Sequence, residues 1–186
     1  MPAIIGLLRA VNLGSHNKIS MESLRTLCTS LKLRSPKTYV QSGNVVFSAS
    51  NTDLDQIAKR LVNGIARTCG FRTDVILRTT SDMRSVVARN PFARRGGIHP
   101  GKLIVLFLAN DPAPEAHKLI QNIKADPEEL RLDGRELYIY FPNGMGRSRV
   151  STPALERAIK TTGTGRNWNT VTKLLEMAEE IEAAQK

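Results

Sequence analysis

The sequence predicts an α+β protein made of two ferredoxin-like β-α-β-β-α type units in tandem, with antiparallel or mixed sheets and helices on one face. Three observations predict it. Short apolar runs alternate with stripes of helical period in the order strand, helix, strand, strand, helix, strand, which is the ferredoxin-like pattern. A similar order starts again near Lys102. The chain has 186 residues, 41% of them hydrophobic and 24% charged, so it can bury a sizeable core without metals or disulfides.

Each element has its own signal. Ile4 to Val11 reads as a buried strand, closed by the turn residues Asn12 and Gly14. Met21, Leu24, Leu27, Cys28 and Leu31 repeat at helical spacing behind a Ser20 cap. Thr38-Tyr39-Val40 and Asn44 to Ser48 are strands around a Ser42-Gly43-Asn44 turn. Leu54, Ile57, Ala58, Leu61 and Ile65 form the stripe of a second helix, with Thr52 as cap and Gly70 as stop. Asp74 to Arg78 is the next strand. Ser81 to Arg89 is a short helix ended by Asn90-Pro91, and Pro91 to Gly101 is an exposed basic loop.

In the second half, Lys102 to Leu108 is a buried strand and Ala116, Leu119, Ile120 and Ile123 mark a helix. Leu130 to Leu132 and Glu136 to Phe141 flank the hairpin turn Asp133-Gly134. Pro153 opens a helix, and Val171, Leu174, Leu175, Ala178 and Ile181 define a last one. The expected organisation is residues 1–79 as a first unit, 80–101 as a connecting helix and basic loop, and 102–186 as a second unit with the C-terminal helix.

Composition excludes several classes. No apolar run is long enough to span a membrane, and the opening Met1-Pro2-Ala3-Ile4-Ile5 lacks the features of a signal peptide. Two cysteines make no disulfide scaffold. No phosphate-loop, nucleophile-elbow or dinucleotide motif occurs, and His16, His99 and His117 lack metal-spaced partners. No metal and no cofactor is expected. The net charge is +10, and the first hundred residues hold 15 basic and 5 acidic side chains while the rest hold 12 of each. That bias predicts a positive field that collects anions. Nine aromatic residues, not interleaved with the basic ones, make a poor base-stacking platform.

Four polar segments stand where elements end. Arg9 to Lys18 leads into the first helix, and Arg9, Asn12 and Lys18 are its candidate ligand groups. Gln41, Ser42 and Asn44 form the second segment. Arg147 and Ser148, in the run Gly144 to Arg149, form the third. Arg166, Asn167, Trp168 and Asn169, entering the last helix, form the fourth. Guanidinium forks suit phosphate and carboxylate, so these groups are read as converging on one anion. The same residue types also cap helices and form turns, and Trp168 also suits a core plug. Cys28 and Cys69 fit small buried thiols.

The same segments carry a family resemblance. Leu7 to Gly14, Asn17-Lys18-Ile19, Thr38 to Phe47, Asn90-Pro91-Phe92, Gly146-Arg147-Ser148 and Arg166 to Val171 resemble the bacterial domain-of-unknown-function 1697 family, over roughly Pro2 to Ala178. The resemblance implies a small cytoplasmic α+β protein. It carries no reaction, so it assigns no catalytic residue. Glycine is usual in the family where Ala10 and Ser15 stand, and proline where Ser20 stands. A side chain at Ala10 crowds a ligand approaching that backbone.

Two functions lead from these readings. One is a binding module for an anionic ligand, a small molecule or nucleic acid, through the Arg/Asn/Gln cluster. The other is an enzyme acting on a small phosphorylated or carboxylated metabolite. A third reading is self-association through the acidic Glu176, Glu179, Glu180 and Glu182 against the basic N-terminal half.

Overall fold

The computed structural model describes residues 1–148 and 150–185. The elements run β1 (Ala3–Leu8), α1 (Met21–Ser30), β2 (Arg34–Tyr39), β3 (Asn44–Ser48), α2 (Leu54–Cys69), β4 (Val75–Thr79), α3 (Thr80–Ala88), β5 (Leu103–Leu108), α4 (Ala116–Gln121), β6 (Glu129–Asp133), β7 (Glu136–Tyr140), α5 (Thr152–Ile159), β8 (Gly163–Asn167) and α6 (Trp168–Ala183). They make an α+β protein with two four-stranded sheets, every pairing antiparallel. The chain divides into two compact units, Met1–Ser85 with Thr172–Lys186, and Val86–Val171.

The first unit has the sheet order β2-β3-β1-β4. Strand side chains alternate between faces. On one face Ile4, Leu8, Val45, Phe47, Val75 and Leu77 pack against Leu24, Leu27 and Cys28 of α1 and Ile57, Leu61 and Ile65 of α2. Each large apolar side chain buried there contributes about 1.5–3 kcal/mol. Ser20 caps α1, its Oγ accepting the Ser23 N–H at 3.0 Å. Asp53, rather than Thr52, caps α2, accepting the Gln56 N–H at 3.0 Å. Gly70 ends α2 in the left-handed conformation.

The opposite face of that sheet buries Ala3, Ile5, Leu7, Val46 and Ile76. The C-terminal part of α6 reaches this side. Glu182 Oε1 accepts the Ala3 N–H at 3.1 Å and the Thr80 hydroxyl at 2.7 Å. Lys37 pairs with Glu180 at 3.4 Å and Arg84 with Glu179 at 2.7 Å. The helix buries Leu174, Met177, Ala178 and Ile181 on one stripe.

The second unit repeats the order as β6-β7-β5-β8. Leu106, Leu108, Leu130, Leu137 and Ile139 pack against Ala116 and Ile120 of α4 and Leu155 and Ile159 of α5. The Tyr138 hydroxyl, on the other face, donates to the Val86 carbonyl at 2.8 Å. The basic loop after α3 is pinned there. Phe92 is buried with its ring 6.0 Å from Tyr140, and the Arg95 guanidinium stands 5.9 Å over the same ring.

β8 departs from the sequence reading, which took the segment of Arg166 to Asn169 as a polar lead into the last helix and assigned no strand there. Gly-Thr-Gly-Arg-Asn has low strand propensity, but pairing with β5 along its whole length holds it extended at the sheet edge. Gly163 is required there, because a Cβ would stand 3.0 Å from the Phe107 carbonyl and 2.9 Å from Leu106. The register repeats between units. Leu8 faces Val75 and Ile5 faces Arg78 in the first, as Leu108 faces Gly163 and Val105 faces Arg166 in the second. Both arginines are buried, 1% and 6% exposed.

Candidate functional site

In the first unit, Asn12, Gln41, Ser42 and Asn44 share one end of the sheet. Asn12 clasps two loops. Its Nδ2 donates to the Ile19 carbonyl at 2.9 Å and the Gln41 carbonyl at 2.7 Å, and its Oδ1 accepts the Ile19 N–H at 2.9 Å. Asn44 is fully buried and donates to the Tyr39 carbonyl at 3.0 Å and the Ser42 hydroxyl at 2.9 Å. Gly43 lets the loops close. It has φ +74°, and a Cβ would stand 2.5 Å from Val11 and 2.8 Å from Leu8. The amides of Asn12 and Asn44 thus hold the loops in place. Gln41 and Lys18 are exposed beside them.

Arg9 leads away from these loops into a cavity of about 260 Å3, lined also by Asn17, Arg72 and Asp74. Arg72 also lines a neighbouring groove of about 450 Å3 with Arg60, Asn63 and Arg67. The local fold explains the grouping. Arg60, Asn63 and Arg67 recur at i, i+3 and i+7 on one flank of α2, beside its buried stripe. Arg72 follows the Gly70 turn and returns toward that flank, its guanidinium donating to Asn63 Oδ1 at 3.5 Å. Arg60 donates to the Leu31 carbonyl at the end of α1. Neither acceptor carries a formal charge. Among the described residues, Arg60, Arg67 and Arg72 form no ion pair with a carboxylate.

The sequence reading overlooked these arginines as a group. Its signal was available in the spacing of Arg60 and Arg67 on a helix whose acids, Asp53 and Asp55, stand at the other end. Twelve residues separate Asp55 from Arg67, about 18 Å along a helix. That exceeds the screening length of about 8 Å in physiological salt.

In the second unit, Arg147 is exposed on a single 3-10 turn, and Ser148 Oγ accepts the Val150 N–H at 2.9 Å. Arg149 lies outside the described residues. Arg166 is buried in β8 and donates to the Thr164 hydroxyl at 2.7 Å and the Gly165 carbonyl at 2.8 Å. Burial lowers its pKa to about 10, which leaves it charged at neutral pH. Asn167 Oδ1 accepts the Thr170 N–H at 2.9 Å and so caps α6. Trp168 is half-buried at the first residue of that helix, and Asn169 is exposed.

Burial pushes the Cys28 thiol up to about 12, far from thiolate reactivity. No group of three or more metal-ligating side chains occurs among the described residues. No helix among them is long and apolar enough to cross a membrane.

Fold and site together define a small α+β protein that carries an arginine-lined groove on its N-terminal unit. Residues 1–138 match the family described as Protein of unknown function (DUF1697), and the chain belongs to that family. Among solved structures it is similar to the conserved bacterial protein SP0830 from Streptococcus pneumoniae. The two share 20% identity with a TM-score of 0.70, over 95% of this chain and 98% of that one, a likeness of fold. No curated protein is significantly similar to the chain.

Proposed function

We propose that the protein is a cytoplasmic binding module for an anionic ligand bearing repeated phosphates, taken up in the groove along α2. One observation carries the reading: Arg60 and Arg72 are oriented by neutral oxygens, with Arg67 beside them, so three guanidinium charges line one groove with no ion-paired carboxylate among the described residues. The C-termini of α1 and α2 lie at the same place, each adding about −0.5 of a charge. Three full positive charges outweigh that. The arginines do more there than cap two helices. Guanidinium forks held in place favour phosphate oxygens through paired, charge-assisted hydrogen bonds.

The test is binding of a short single-stranded oligonucleotide, followed by fluorescence anisotropy over a range of salt. Affinity should fall with salt at a log–log slope of about −0.7 per phosphate neutralised. The double variant Arg67→Gln, Arg72→Gln should make that slope shallower by about 1.4, two contacts at this increment. An unchanged slope, or no binding at low salt, defeats the reading.

A further inference from the structure

We infer that the cavity of about 260 Å3 beside β1 is a separate binding site for a small zwitterion of the α-amino acid class. The inference stands apart from the groove reading, because it rests on opposite charges facing one cavity. Arg9 and Arg72 supply guanidinium groups and Asp74 a carboxylate to its lining. Neither Arg72 nor Asp74 is in an ion pair among the described residues, so these two do not close on each other although both face the same space. A simple anion placed there meets Asp74, and a simple amine meets Arg9 and Arg72. A molecule with both groups satisfies both walls.

The remaining lining adds to this chemistry. Asn17 Nδ2 is turned onto the Ala10 carbonyl at 3.3 Å, so its Oδ1 stays available to accept an N–H. The Thr73 hydroxyl is already committed to the Arg9 carbonyl, which fixes the floor between Arg72 and Asp74. Val62 and the Ala10 methyl supply an apolar wall for a short side chain. The volume lies a little under the roughly 300–1,000 Å3 of pockets for drug-sized ligands, a size that suits a small amino acid. The rim is also strained. Ala10 and Asn17 both have φ +50°, a conformation that persists only where surroundings impose it, and such residues gather at ligand sites.

The experiment is calorimetric titration with free glycine, L-alanine, L-serine and L-threonine at millimolar concentrations. Each is compared with its N-acetyl form, which lacks the ammonium, and its carboxamide, which lacks the carboxylate. At least one free amino acid should bind, and its two blocked forms should bind at least about fivefold more weakly, the equivalent of one exposed ion pair. Asp74→Asn keeps the shape of an exposed side chain and should weaken the free amino acid by a similar factor. It should leave oligonucleotide binding equal or stronger, whereas Arg60→Gln with Arg67→Gln should weaken the oligonucleotide alone. Absence of binding by every free amino acid, equal binding of the blocked forms, or no effect of Asp74→Asn overturns the proposal without touching the groove.

Discussion

Replacing Asn12 with alanine should unfold the protein at lower temperature. The Asn12 amide makes three hydrogen bonds, two to Ile19 and one to the Gln41 carbonyl. A net intramolecular hydrogen bond contributes about 0.5–1.5 kcal/mol, and the exposed setting of the Gln41 contact puts the three together at about 2 kcal/mol. The backbone adds to this. Asn12 sits at φ +56°, which asparagine tolerates and alanine adopts at a cost of about 1 kcal/mol. The expected loss is about 3 kcal/mol, or roughly 6–12 °C in Tm for a chain of this size. Thermal and urea unfolding followed by circular dichroism read it directly. Asn12→Asp keeps the acceptor for Ile19 and the favourable backbone but loses both N–H donors, so it should fall between the two. If Asn12→Ala lies within about 1 kcal/mol of the parent, the loop clasp is not what this residue does.

Three further outcomes are expected. Ala10→Gly removes a left-handed penalty of about 1–2 kcal/mol and adds about 0.5–1 kcal/mol of chain entropy, so Tm should rise by roughly 1–3 °C. A fall in Tm would show that Ala10 is not strained. Burial alone would raise the Glu182 carboxyl, but hydrogen bonds from Thr80 and the Ala3 N–H and the charge of Arg84 outweigh it and hold it below the usual value. A depressed folded pKa stabilises above the unfolded value of about 4.3 and is lost as pH falls through the folded one. Glu182→Gln should therefore lower Tm at pH 7 and leave it unchanged in strong acid, and a loss equal at both pH values would reject the linkage. In the native protein Cys69, half-buried, should react with a thiol reagent well before Cys28, and both should react in denaturant, as mass spectrometry would register.

Elements with strong local periodicity were legible in the sequence. α2 announces itself by a five-residue apolar stripe and a terminal glycine, and β5 by an unbroken apolar run. β8 was not legible, because its residues favour turns and only the neighbouring β5 holds them extended. The N-terminal half of β2 was hidden for a related reason. Pro36 weakens the strand signal, and an edge strand with a register shift between Arg34 and Lys37 accommodates it. The grouping of residues 172–186 with the first 85 comes from packing, which no local pattern encodes. At the candidate site, Arg9 is named by its place at a strand end. Arg60, Arg67 and Arg72 look like solvated helix and loop residues until the fold sets them around one groove. Asn12 and Asn44 show the converse, since a polar residue at a junction reads the same whether it faces a ligand or a neighbouring carbonyl.

Charge along the chain and charge in the fold tell different stories. The first hundred residues carry all of the excess, yet the compact units carry 14 basic and 9 acidic residues in the first and 13 and 8 in the second. The difference arises because the acidic α6 belongs largely with the first unit, where Glu179, Glu180 and Glu182 meet Arg84 and Lys37. In the second unit Arg89, Arg95, Arg131 and Lys160 likewise have carboxylate partners. Net charge therefore does not single out either unit. What singles out the α2 groove is that Arg60 and Arg72 donate to neutral oxygens, while Arg67 stands beyond the screening length from Asp55 on the same helix. An anion entering there displaces no internal carboxylate, whereas one approaching Arg84 or Arg89 competes with a carboxylate already in place. Salt-dependent binding should accordingly respond to Arg67 and be nearly indifferent to Arg89, although both are arginines on a basic protein.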